Sequence, residues 1–405
     1  MNCWRVMAAA GGGCDADNCH PERSAAESKD PGAQPAGDAT GSLDFAWNDL
    51  IMPAVTETFT PGMPVEIGQI GRELKKLWDA GDGVMTRASL INLAVYSEAP
   101  DSLGTNTAMI SQITENHACR AIVIAADPAA KESRVEAWIS AHCHVSRAGR
   151  KQVCSEQLSF FLQGEQCGLL PNIVFAQLDS DLPLYLWWQE EFRAPMDPQL
   201  WAWVDRVIYD SQAWRNFDEQ MRLVEIAQRE ARQRIVLCDI NWVRLVHLRI
   251  ALAQFFDHPA TYHHLAEIKA LEIEHAPGFH STALLLAGWL AGQLGWERSR
   301  ANGKSLGFRK EEEDGERTIQ VSLREKKGEP IGSCKITTEG AEFHVEHKPG
   351  ADLLDLFFGR AGGRQMQQVL PAGGNDPVEL MKEELMRGGP HRVYLRAVEQ
   401  VRHLL

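Results

Sequence analysis

A short apolar run that ends in Asp239 is followed at once by Asn241, Trp242 and Arg244, in the stretch LCDINWVRLVHLRIALAQFFD (237–257). Polar side chains where a strand hands over to a helix commonly mark the crevice of an α/β protein. These residues read either as a catalytic mouth or as a surface shaped to hold another protein. A second cluster is His142, Cys143, His144 and Cys154. A His-x-His pair on one strand face, with a cysteine from the neighbouring strand, is a zinc ligand set by type. If residue 145 pairs with residue 151, then 142 faces 154, and Cys154 joins His142 and His144 on one face. The same register sets Cys143 and Cys154 on opposite faces, which disfavours a bridge between them. The plainer alternative is a polar strand face with Cys143 as a small core residue.

Other chemistries lack a required part. NGKS (302–305) resembles the end of a phosphate loop, but the glycine needed five positions before Gly303 is Arg298. No G-x-G-x-x-G dinucleotide turn and no G-x-S-x-G nucleophile elbow occurs. Cys119, Cys143 and Cys154 fall in or beside expected strands, where thiols are usually inert. Trp187 and Trp188 close the run DLPLYLWW. Strand carboxyl ends line the crevice of an open parallel sheet, so one of this pair is expected to pack inward and the other to reach the crevice.

The elements that would position these residues can be read from periodicity. VEIGQIGRELKKLWDAG (65–81) has helical spacing. SLINLAVYS (89–97) and AIVIAADP (121–128) are near-continuous apolar strands around a helix at 105–117, a βαβ signature that implies a parallel sheet. VEAWISAHCHV (135–145) and KQVCSEQLSFFL (151–162) alternate and are joined by the turn SRAGR, an edge hairpin. Strands at 182–188 and 203–210 and helices at 169–178 and 217–233 follow. Asp239 or Asn241 can cap a helix whose apolar stripe runs from Trp242 to Phe256, with Arg244 free to pair with Asp239 or to face solvent. A strand at 267–275, an apolar helix at 281–296, a run of antiparallel strands and two helices, near 377–387 and 391–404, complete the chain. The fold class is α/β: a mostly parallel sheet with an edge hairpin, then an α+β domain of antiparallel strands. The domains are 1–62, a disordered or mis-assigned extension with Met52 or Met63 nearer the true start; 63–236, the α/β domain; and 237–405, the α+β domain.

Composition narrows the partners. A net charge of -14 over 405 residues disfavours nucleic acid and anionic membrane surfaces. The best membrane candidate, 282–296, is too short to span. Nine scattered cysteines and the lack of a secretory signal point to reduced thiols in a cytoplasm.

Several motifs occur together and in order: SLINLAVYSE, ENHACRAIVIAADP, ISAHCHV then VCSEQ, DLPLYLWW, DINWVRL with LAQFFD, LLLAGWLAGQLGW and RVYLRAVE. This ordered set resembles the glucose-6-phosphate dehydrogenase assembly protein family, OpcA, from about Val65 to the C-terminus. The resemblance implies a non-catalytic helper without cofactors. It would bind glucose-6-phosphate dehydrogenase and promote its active form, supporting NADPH supply through the oxidative pentose phosphate pathway. On that reading Trp187, Trp188, Asp239, Asn241, Trp242 and Arg244 are the expected partner-binding residues. The rival readings are an enzyme for a small phosphorylated or nucleotide ligand, with a metal at His142, His144 and Cys154, and a thiol sensor through Cys143 and Cys154.

Overall fold

INLAVYS and CRAIVIAAD are apolar at successive positions, so both faces of each strand need cover. In the computed structural model they become β3 (Ile91–Ser97) and β4 (Cys119–Asp127), central strands buried on both sides. The structure describes residues 61–404 apart from 80–84, 146–151, 194–197, 232–234, 299–305, 313–314, 361–362, 364 and 388–390. The NGKS stretch, the SRAGR turn and all but the last two residues of the 1–62 extension lie outside the described residues.

The chain enters through β1 (Met63–Pro64), α1 (Ile70–Asp79) and β2 (Met85–Arg87), then β3, α2 (Ser102–Thr114) and β4. The hairpin of β5 (Arg134–Val145) and β6 (Gln152–Gln163) follows, then α3 (Leu170–Gln177), β7 (Leu184–Trp188), β8 (Arg206–Tyr209), α4 (Phe217–Ala231) and β9 (Val236–Asp239). The first sheet has the order β1-β5-β6-β4-β3-β7-β8-β9, with β2 beside β6. It is parallel from β6 to β9; among the described residues only the pairings of β5 with β6 and with β1 are antiparallel.

After β9 come α5 (Ile240–Arg244) and α6 (Val246–Gln254), two short helices separated at Leu245 where a single helix was expected. Next are β10 (Ala270–His275), α7 (His280–Leu294) and β11 (Glu297–Arg298). Six more strands follow: β12 (Leu306–Glu312), β13 (Gly315–Glu325), β14 (Ile331–Thr337), β15 (Glu342–His347), β16 (Leu353–Gly359) and β17 (Gln365–Pro371). These strands form a second sheet, β11-β12-β13-β10-β14-β15-β16-β17, antiparallel except where β10 meets β13. The chain closes with α8 (Pro377–Met386) and α9 (Arg392–Leu404).

Packing ties the two sheets together. One face of the first sheet, with Leu93, Val95, Val123, Trp187 and Cys238, is covered by Ile110 and Ile113 of α2 and by Val378, Leu380 and Met381 of α8. The opposite face, with Tyr96, Ile124 and Phe160, runs into one core with α7, α9 and the inner face of the second sheet, where Leu271, Ile273 and Phe343 lie. Helix α7 is apolar all round because α9 and the second sheet bury it from both sides. Its Gly288 lets α9 approach closely: a Cβ there would lie 2.6 Å from the Ala397 carbonyl oxygen and 2.7 Å from Val401 Cγ2. No helix among the described residues is long and apolar enough to cross a membrane.

Candidate functional site

β8 and β9 are parallel neighbours, and Tyr209 stands opposite Asp239 where both strands end. The carboxyl ends of parallel strands thus bring together two acids, Asp210 and Asp239. Asp239 is fully buried and its side chain caps α5. Its Oδ1 accepts from the Asn241 amide at 2.9 Å and the Ser211 amide at 3.0 Å. Its Oδ2 accepts from Ser211 Oγ at 2.7 Å and from the Tyr394 hydroxyl at 3.2 Å. The Tyr394 and Tyr209 hydroxyls meet at 2.7 Å. Burial first, and the Asp210 charge second, push the Asp239 carboxyl up to about 7, against the pull of Ser211 and Asn241. Burial likewise raises both tyrosines well above their ordinary range.

Asn241 extends this hub to α7. Its Oδ1 accepts from Thr282 Oγ1 at 2.6 Å, and its Nδ2 donates to Ser211 Oγ at 3.0 Å and Ser281 Oγ at 3.3 Å. Arg244 takes Asp210 with both Nη atoms, at 2.8 and 2.6 Å, rather than Asp239 or open solvent, and its Nε donates to Asn375. The Arg244 side chain is only 6% exposed. Trp242 is buried against the Tyr394 ring, 5.5 Å between centroids, with the Arg249 guanidinium 3.6 Å from its own ring centre. Trp187 is buried beneath α2 and α8, while Trp188 faces the other way and stacks on Tyr96 at 4.2 Å. The structure therefore brings Asp239, Asn241, Trp242 and Arg244 into one network and leaves the tryptophan pair of β7 outside it. Of the six, Trp188 is half-buried, Arg244 is intermediate only when its backbone is counted with its buried side chain, and the other four are buried.

A second polar cluster lies on the α8 side of β9. Arg206 Nη1 sits 3.4 Å from Glu384 Oε1 and 3.5 Å from Cys238 Sγ, and His391 Nε2 is 2.9 Å from the same carboxylate oxygen. By type and spacing Cys238, Glu384 and His391 could hold a metal, since their ligand atoms lie within 4.8 Å of one another. The Arg206 cation already balances the Glu384 charge, and burial followed by that charge pushes the Cys238 thiol well up. The group is a buried ion pair that fastens α8 to the sheet.

The hairpin corrects the expected register. Val145 pairs with Gln152, so Cys143 faces Cys154 and His142 faces Ser155. A one-residue slip moves a whole strand to the other face. Cys154 therefore leaves the histidine face and forms a disulfide with Cys143, where a scattered set of reduced thiols was expected. Cys119, Cys167, Cys238 and Cys334 are free. The histidines are engaged separately: His142 Nε2 with Gln157 Oε1 at 2.9 Å, and His144 Nε2 with Thr114 Oγ1 at 3.0 Å. Burial holds His142 below its ordinary range, outweighing the Gln157 bond, which acts the other way.

Two family models match the chain. That for the glucose-6-phosphate dehydrogenase subunit N-terminal domain covers residues 110–227, and that for the C-terminal domain of the same subunit covers 235–398. The chain belongs to the OpcA family. Two similar proteins carry the name OxPP cycle protein OpcA. The one from Synechocystis sp. is 26% identical over 49% of this chain and 41% of its own length. The one from Nostoc punctiforme is 31% identical over 46% of this chain and 40% of its own. The chain thus spans about two-fifths of the length of these relatives. Among solved structures, levoglucosan dehydrogenase with NADH and L-sorbose aligns at TM-score 0.40 and 12% identity, covering 77% of this chain and 91% of that one. A likeness that low carries no argument. In this OpcA-family chain the hub members that sequence reading passed over are Tyr209, Asp210, Ser211, Thr282 and Tyr394. A signal was present for two of them: RVIYD repeats the pattern of VLCD, an apolar strand ending in aspartate.

Proposed function

We propose that the protein is a non-catalytic, cytoplasmic assembly factor that binds glucose-6-phosphate dehydrogenase and favours its active oligomer. It would thereby support NADPH supply through the oxidative pentose phosphate pathway, with no cofactor of its own. The observation that carries this reading is the state of the strand carboxyl ends. A crevice that works on a substrate presents some of its polar groups to an open pocket. Here Asp239, Asp210, Asn241 and Arg244 are spent on one another and on Ser211, Thr282 and Tyr394. That is the design of a brace. The family membership supplies the partner.

On this reading Asp239, Asn241, Trp242 and Arg244 act behind the binding surface, by fixing the junction of the two sheets, and Trp187 and Trp188 support the sheet beside it. The mechanism is linkage: binding the active oligomer better than the inactive form shifts the population. A preference of about 100-fold supplies roughly 2.7 kcal/mol. The test is a dehydrogenase assay titrated with the purified protein, run beside sedimentation of the mixture. Stimulation should saturate and track a larger species. Trp242→Ala, which removes a buried ring and the seat of Arg249, should cost about 3–5 kcal/mol of stability and lose stimulation as the junction loosens. If the wild type neither stimulates the enzyme nor changes its sedimentation, the assembly reading fails.

A further inference from the structure

Glu156 lies in the middle of β6, beside the strands β2 and β4, and its side chain is 1% exposed. A carboxylate buried that deeply must be compensated. Three donors do so. Trp78 Nε1 of α1 donates to Oε1 at 2.5 Å, Arg87 Nε of β2 reaches Oε1 at 3.2 Å, and Arg120 Nη1 of β4 donates to Oε2 at 2.8 Å. Arg87 also spends one Nη on Asp179 at 3.4 Å.

The triad floors an open hollow of about 530 Å³ lined by Gly71, Leu74, Lys75, Trp78, Arg87, Arg120 and Glu156. Three cations therefore meet one lining carboxylate, itself buried, with Asp179 answering part of Arg87 from outside the rim. Arg120 Nε is buried without a hydrogen-bond partner among the described residues. Lys75 is exposed on the rim, whereas its neighbour Lys76 is turned to Glu73 at 2.8 Å. A locally positive hollow on a chain of net charge -14 stands against the general field of the molecule.

We propose that this hollow binds a small phosphate-bearing anion through Arg87, Arg120 and Lys75, with Trp78 as its apolar wall. Glu156 positions the site: by holding Arg87 and Arg120 by one edge each, it fixes both guanidiniums in the lining of the hollow before any ligand arrives, which lowers the ordering cost of binding. The fork of a guanidinium matches two oxygens of a tetrahedral oxyanion, and an ammonium adds a point charge from a third side. Donors converging from one helix and two strands suit a phosphate, with its several oxygens and its double charge, better than a planar carboxylate. This site lies at α1, apart from the Asp239 hub, and does not rest on the assembly reading.

The test is calorimetric titration of the full chain with inorganic phosphate at constant ionic strength in chloride. Acetate serves as the competing anion and Lys75→Glu and Lys76→Glu as variants. Both substitutions are on exposed positions and leave the Glu156 triad intact. The expected result is one saturable phosphate site, weakened about tenfold by Lys75→Glu and unchanged by Lys76→Glu, with acetate much weaker. Absence of a saturable phosphate signal overturns the site. Equal loss in both variants reduces the effect to the diffuse field and overturns its location. Acetate binding as tight as phosphate overturns the ligand class.

Discussion

Asp239→Asn should change how the stability of this protein responds to pH. The folded carboxyl titrates at about 7 against an ordinary value of 3.8. Between those limits the native state holds a proton that the unfolded chain has released. The stability that this group contributes is therefore fully present below about pH 4 and is lost as pH rises through the window, at up to roughly 1.4 kcal/mol for each unit. The full difference corresponds to roughly 4 kcal/mol, and the interval from pH 5 to 7 to roughly 2–3 kcal/mol. Asparagine never ionises. Its carbonyl can still accept from the Ser211 and Asn241 amides, and its amide can donate to Ser211 Oγ and the Tyr394 hydroxyl, both of which can accept. The other charges that face this position are Asp210 and the Arg244 that clamps it, and neither is altered. Urea unfolding of both proteins at pH 5, 6, 7 and 8 measures the effect. The variant should gain on the wild type across the series, by roughly 2–3 kcal/mol between pH 5 and 7. A difference that stays constant with pH would mean that Asp239 ionises like a surface carboxylate, and that its buried network does not cost what burial demands.

Two further outcomes concern packing and covalent structure. Gly288→Ala places a methyl 2.6 Å from the Ala397 carbonyl oxygen, so it should lose about 1–3 kcal/mol despite alanine's better helix propensity. Gly292→Ala, which meets the Arg396 carbonyl oxygen at 3.3 Å, should lose less, and thermal melting of the two variants compares them directly. Cys143 and Cys154 are separated by 11 positions, so loop closure of that size should contribute about 3 kcal/mol. Dithiothreitol should bring the unfolding midpoint of the wild type down to that of Cys143→Ser/Cys154→Ser, and a wild type indifferent to reductant would show that the bridge contributes nothing.

Local patterns in the sequence located the elements well. The buried strands β3 and β4 are legible because a parallel strand covered on both faces has little choice but continuous apolar residues. The hairpin is legible from its alternation, and Asp239 from its place before an apolar helix. The expected register failed by one residue because alternation fixes which residues share a face within a strand but not the offset between strands. That offset belongs to the turn. The error was enough to trade a candidate zinc set for a disulfide. The break at Leu245 is invisible to periodicity, since Trp242, Leu245 and Leu248 keep a helical spacing through it. The partners of Asp239 and Arg206 are harder still: Tyr394 and Glu384 lie more than 150 positions away, and only tertiary structure brings them near.

The position of α8 matters for the order in which the chain can fold. Sequence order places this helix last but one, yet it shields Trp187, Ile208 and Cys238 on the first sheet. A ribosome that has released every strand of that sheet has still not delivered its cover. The nascent sheet must wait for some 140 more residues, the whole second sheet included, with an apolar flank open to water and to other chains. A fragment ended near residue 230, where the N-terminal family match stops, would keep that flank bare permanently and would also lack β9. It should precipitate or recruit chaperones, so the seam between the two family matches is not a place where the molecule can be cut.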